Sequence, residues 1–201
     1  WRRSEGSGTG AGFVGLNVSR NTEVPVVATV AGKVPHHPKN YSYEDHPADV
    51  RIRATGKFDE CLVGLCKGVY AYMTDVSRVE PKEVMTVDIP KSENLSQFIF
   101  NVVNCVFELY CDQYFMVREM ELELPATLME ASTKELICSD WSTLTCEGSV
   151  LGDSIRGICY GEKFDGSRHS QGTEVKAITK HDLEVSALDT DVMTICMLID
   201  I

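Results

Sequence analysis

The chain has 201 residues, 43% of them hydrophobic, with 19 basic and 30 acidic side chains. That is enough for one domain with a real core, and no stretch approaches the roughly 18 consecutive apolar residues that a membrane span needs. Residues 1–40 hold five basic and two acidic side chains, leaving 14 basic against 28 acidic in the rest; so negative a body repels a phosphate backbone and argues against strong direct binding of nucleic acid.

Residues 1–40 are rich in Gly, Ser, Thr, Asn and Pro, show no period and are expected to be disordered. A chain that opens on Trp1 is expected to lack its true start; residues 1–15 carry no apolar run of the secretory kind. Gly10-Ala11-Gly12-Phe13-Val14-Gly15 matches a dinucleotide fingerprint in letters only, because no strand precedes it and no helix opens after it. The eight cysteines form no C-x-x-C pair. This excludes a zinc ribbon or thioredoxin-type motif and suits a reducing cytosolic or nuclear setting.

Order is expected from Tyr41 onward. Val50, Ile52 and Ala54 alternate with Arg51 and Arg53, a half-buried strand that Gly56 ends. Phe58, Cys61, Leu62, Leu65, Cys66, Val69, Tyr70 and Met73 recur at steps of three and four, predicting a helix near residues 58–73. Val84 to Ile89 alternates again. Asn94 followed by Gln97 resembles a capping box and opens a second helix to about Cys111. Phe115–Leu124, Ile155–Phe164, Glu174–Thr179, Leu183–Ala187 and Val192–Ile199 read as strands. The last is apolar on both faces, as a central strand would be. Pro125–Gly152 has no clear period and reads as an inserted loop. The order predicts an α+β fold: two layers, a mixed, mostly antiparallel sheet, and two main helices on one face.

Carboxylates gather at the two ends of the ordered region. Asp49 sits at a strand entrance, Asp200 is penultimate, and Ile201 ends in an α-carboxylate. If folding brought the three together, their repulsion would call for a cation, and all-oxygen donors suit a hard one such as Ca²⁺ or Mg²⁺. On the residues alone, the plainer reading comes first: Asp49 caps a turn and Asp200 is a frayed end.

Five stretches carry a family resemblance: Tyr43-Glu44-Asp45-His46-Pro47-Ala48-Asp49-Val50; Tyr72-Met73-Thr74-Asp75; Val79-Glu80-Pro81; Gly161-Glu162-Lys163-Phe164-Asp165 with His169 and Gly172–His181; and Met197-Leu198-Ile199-Asp200-Ile201. In this order they resemble the archease family over nearly all of residues 41–201. The resemblance implies a non-catalytic activator of an RtcB-type RNA ligase. It would promote guanylylation and multiple turnover of that ligase in tRNA splicing, in the cytosol or nucleus. It also implies a divalent metal, Ca²⁺ before Mg²⁺ or Mn²⁺, held by Asp49, Asp200 and the Ile201 carboxylate. Many relatives carry a carboxylate where Asn104 stands, and often Tyr where Lys180 stands. Asn104, His46, Lys176 and His181 are candidate contacts to the partner or a nucleotide; for Lys176 an ordinary solvated lysine is the alternative. Two other functions compete: a metal-dependent hydrolase with His46 as base, and a chaperone-like modulator of nucleic-acid enzymes.

Overall fold

The computed structural model describes residues 28–30, 32–138 and 155–201. The alternation at residues 50–54 becomes β3 (Val50–Gly56), with Val50, Ile52 and Ala54 facing the core. Gly56 has φ +155°, and a Cβ there would meet the Glu60 carboxylate at 2.6 Å. Glycine therefore permits both the turn and the bond from the Lys57 N–H to Glu60 Oε2 (2.9 Å) that opens α1 (Phe58–Met73).

A 3₁₀ turn at Val76–Arg78 leads to β4 (Glu83–Ile89). α2 (Leu95–Gln113) starts where Asn94 Oδ1 accepts the Gln97 N–H at 2.8 Å. It ends at Tyr114, whose φ of 55° reverses the chain directly into β5 (Phe115–Glu123). The remaining elements are α3 (Ala126–Glu130), α4 (Thr133–Cys138), β6 (Ile155–Lys163), β7 (Ala177–Ile178), β8 (Glu184–Ala187) and β9 (Met193–Asp200). Before β3 come β1 (Ala28–Thr29) and β2 (Tyr41–Asp45).

The fold is α+β, as expected, with only two long helices among the described residues. Its strands form two sheets rather than one. The first runs β1-β4-β6-β5; the second runs β2-β3-β9-β7, with β8 also on β9. Every pairing among the described residues is antiparallel, so the mixed element of the expectation is absent from them. Alternation marks a strand but carries no information about its neighbour. α1 packs on β3 and β9 of one sheet and on β5 of the other. α2 packs on α1, β4 and β5, and Tyr70 Oη of α1 donates to Val106 O of α2 at 2.7 Å. Between them lie fully buried side chains such as Ile52, Leu62, Leu65, Phe98, Ile99, Met85 and Phe115. Each contributes about 1.5–3 kcal/mol by leaving water. β9 is buried from Met193 to Ile199, consistent with a central strand.

Two expectations about irregular segments need correction. Residues 28–30 and 32–40, expected to be disordered, run along the domain instead. β1 pairs with β4, Lys67 Nζ donates to His37 O at 2.8 Å, and the Asn40 amide donates to Thr55 O and Glu60 O. They contribute hydrogen bonds rather than a periodic apolar face, so pattern alone misses them. The fingerprint at Gly10–Gly15 lies outside the described residues. Within 125–152, residues 126–138 form α3 and α4, too short at five and six residues to show a period. Ser132 and Glu135 cap α4 reciprocally, the Glu135 carboxylate accepting the Ser132 N–H at 2.8 Å. That S-x-x-E spacing was the available signal.

Candidate functional site

The chain terminus is pinned from both sides. β9 pairs with β3 through Val50↔Ile199, so Asp49 and Asp200 are the next residues beyond that end of the ladder. On the other flank β7 pairs Ala177 with Asp200, and the Lys176 N–H donates to Asp200 O at 2.9 Å. Ile201 packs half-buried against the core, which anchors the α-carboxylate behind it. Asp49 is equally constrained, because Asp45↔Val50 closes the β2–β3 hairpin and leaves His46-Pro47-Ala48-Asp49 as its turn. Proline suits such a turn because its ring presets φ.

Two observations bear on a cation here. His46 Nδ1 lies 3.7 Å from Asp49 Oδ2, too far for a hydrogen bond, and is a buried nitrogen with no hydrogen-bond partner among the described residues. The terminal carboxylate already draws a positive charge, since Lys176 Nζ donates to Ile201 O at 2.7 Å. Among the described residues no three His, Cys, Asp or Glu side chains converge closely enough to hold a metal. A site here therefore depends on the α-carboxylate as its third oxygen donor. That all-oxygen set fits a hard divalent ion.

Thus Asp49, Asp200, Ile201, His46 and Lys176 gather at one end of the second sheet. Asn104 and His181 do not join them through any hydrogen bond or ion pair among the described residues. The Asn104 amide, on α2, donates to Glu108 one turn on. His181 is exposed after β7, with Nε2 3.6 Å from Asp182. Lys180 donates to Gln97 Oε1 and lies over the Phe100 ring, fastening the β7 end to α2.

A second polar centre was visible in the sequence only as a string of motif letters. Glu162 and His169 are buried side chains. His169 Nδ1 accepts the Asp165 N–H at 2.9 Å, which leaves Nε2 as the protonated nitrogen facing Glu162 Oε1 at 3.1 Å. Glu162 also accepts the Glu80 N–H and the Arg168 guanidinium. Burial alone would raise its pKa, but these donors outweigh that and hold it at about 2. Hydrogen bonds from Ser167, side chain and backbone, likewise hold Asp165 at about 2. The cluster staples the 164–170 loop to the end of β6 and to the segment before β4. Its acid-base groups are fully engaged, which marks it as structural.

The Archease protein family matches residues 41–201. This chain belongs to the archease family. The protein archease of Danio rerio is 29% identical over 175 residues, covering 84% of this chain and 90% of that protein. Protein archease of Aeropyrum pernix is 32% identical over 149 residues, covering 72% and 86%. The solution structure of Methanobacterium thermoautotrophicum protein 1598 superposes with a TM-score of 0.56 at 18% identity, covering 82% of this chain and all of that one, and supports the fold. The archease match includes both the His46–Asp49 turn and the terminal Asp200-Ile201 pair.

Proposed function

We propose that this archease-family protein activates an RtcB-type RNA ligase in tRNA splicing, promoting its guanylylation and multiple turnover without covalent chemistry of its own. The activator would work where that ligase does, in the cytosol or nucleus. The observation that carries the reading is the fixed chain end: Asp49, Asp200 and the Ile201 carboxylate are set by two ladders that meet on β9. These three would hold a divalent ion, Ca²⁺ in preference to Mg²⁺ or Mn²⁺. When bound, the ion would supply a hard positive centre for an anionic group of the partner complex.

Three of the cysteines agree with a non-catalytic role. Burial pushes the Cys61, Cys105 and Cys159 thiols up to about 12, so they stay protonated and unreactive at neutral pH. The acidic body agrees with docking to a protein rather than to RNA directly. The test is ligation of cleaved tRNA by the ligase with GTP, omitting each component in turn. Stimulation should require this chain, and it should disappear in Asp49→Asn, which keeps shape and removes one charge. One residue added after Ile201 should weaken it too, by moving the carboxylate about 3.3 Å. Full stimulation by both variants would remove the site from consideration. A GMP adduct on this chain without the ligase would refute the non-catalytic reading.

A further inference from the structure

The positive charge nearest the terminal carboxylate belongs to the chain itself. Lys176 enters β7 with its backbone N–H on Asp200 O, and its ammonium reaches back to Ile201 O at 2.7 Å. The side chain is exposed, so little besides charge holds it in place. An exposed ion pair of this kind is weak. A divalent ion on the same carboxylate would sit about 2.0–2.6 Å from its oxygens. Ammonium and metal ion would then compete for the same lone pairs while repelling each other. Asp49 and Asp200 lie beyond the paired ends of β3 and β9, and they tilt that competition toward the charge that can use all three carboxylates.

We infer that Lys176 is a tethered stand-in for the divalent ion: its ammonium neutralises the Ile201 carboxylate in the metal-free protein and is displaced when the ion binds. Loading the site and freeing the ammonium are then a single exchange. The free protein avoids an open cluster of carboxylates, and the loaded protein presents an unpaired ammonium beside the ion. The inference rests on the metal reading of the site given above.

The experiment uses the full 201-residue chain and calcium alone as the probe. Lys176→Met keeps the length and apolar stem of the side chain and leaves the β7 backbone bond in place. Calorimetric titration should show Lys176→Met binding Ca²⁺ up to about fivefold more tightly than the parent, the scale set by an exposed ion pair. Lys176→Arg should return the affinity towards the parent value. In the parent, the nitrogen-15 resonance of the Lys176 ammonium should shift and broaden with Ca²⁺ in step with the calorimetric occupancy. Suppose Asp49→Asn abolishes calcium binding while Lys176→Met binds no more tightly than the parent. The exchange is then wrong and the metal site stands. If the parent and Lys176→Met both fail to bind Ca²⁺, or Asp49→Asn and Asp200→Asn bind like the parent, the metal reading falls and takes the exchange with it.

Discussion

Lys67 and Glu119 offer the sharpest test of how this fold is held together. Lys67 lies on α1 and Glu119 on β5, with side chains 10% and 7% exposed and Nζ 2.8 Å from Oε2. Glu119 reaches this position because a bulge at Arg118 shifts the β5–β6 register between Val117 and Glu119. The extra residue sends Arg118 the other way, where it donates to Ser77 O and Val79 O. Replacing Lys67 with Met would leave a buried carboxylate with weak partners among the described residues, the His37 N–H at 3.3 Å and the His36 and His37 ring nitrogens at 3.4 and 3.5 Å. Breaking a buried pair by removing one partner costs about 3–5 kcal/mol. At roughly 2–4 °C per kcal/mol for a domain of this size, the melting temperature should fall by roughly 6–20 °C. Lys67→Met/Glu119→Met should recover most of that loss, because it removes the stranded charge and fills the space with apolar groups.

The pH dependence gives the same argument a sign. In the parent, burial pushes the Glu119 carboxyl up, but the Lys67 ammonium, the His37 N–H and the His36 imidazole together outweigh it and the net shift is downward. A carboxyl depressed in the folded state stabilises the fold above its unfolded pKa, and that stability is lost as pH falls through the folded value. Without Lys67, only the His37 N–H and the His36 imidazole are left to oppose burial, and the depression should shrink. The deficit of Lys67→Met should then be largest at neutral pH and shrink as pH falls below about 4.3, where the carboxyl is neutral in the unfolded chain too. Thermal melts of parent, single and double variants at pH 7 and pH 4 measure this. An equal deficit at both pH values, or a double variant as unstable as the single one, would refute the argument.

Glu162→Leu should strand the His169 Nε2–H and the Glu80 N–H and cost about 1–3 kcal/mol. It should also erase part of the acid limb of the stability curve, since a group held at about 2 stabilises fully above its usual 4.5 and loses that contribution as pH falls towards 2. Denaturant melts between pH 2 and pH 7 would show both effects. Gly161→Ala should be poorly folded, because its Cβ would lie 1.9 Å from Met116 O, whereas Gly166→Ala, with its nearest neighbour at 3.9 Å, should melt like the parent. A chain starting at Tyr41 should melt below one starting at Ala28, because it loses the β1 pairing and the backbone anchors of His37 and Asn40. Equal melting temperatures would return that segment to a passive role.

What the sequence made legible follows from how each element earns its stability. α1 and α2 were readable within two residues because each buries a long stripe at helical spacing, and the stripe is the cause of the helix. β9 was readable as central because both its faces are apolar. The division into two sheets was not, because partner choice depends on contacts between residues far apart in the chain. Nor were Lys67–Glu119 and Glu162–His169 readable as pairs. A buried charge is tolerated only beside its partner, and here the partners stand 52 and 7 positions apart. One pair spans a helix and a strand, and the other closes a loop, so neither spacing announces a contact.

The terminal site shows the opposite relation between pattern and geometry. Asp49 and Asp200 are 151 positions apart, yet the family resemblance nominates both, where the residues alone read as a turn cap and a frayed end. β9 is buried on both faces and needs a neighbour on each side. β3 buries one face, and with β9 between it and β7 the last residues of the chain cannot drift. A carboxylate at a chain end is ordinarily mobile, because nothing beyond it restrains the backbone. Here the final residue follows a seven-pair ladder on one side and a short pairing on the other. On the proposed metal reading, such a site would tie function to chain length: a substitution at Asp49 would change one ligand, but a single added residue would change the one ligand that no side chain can replace.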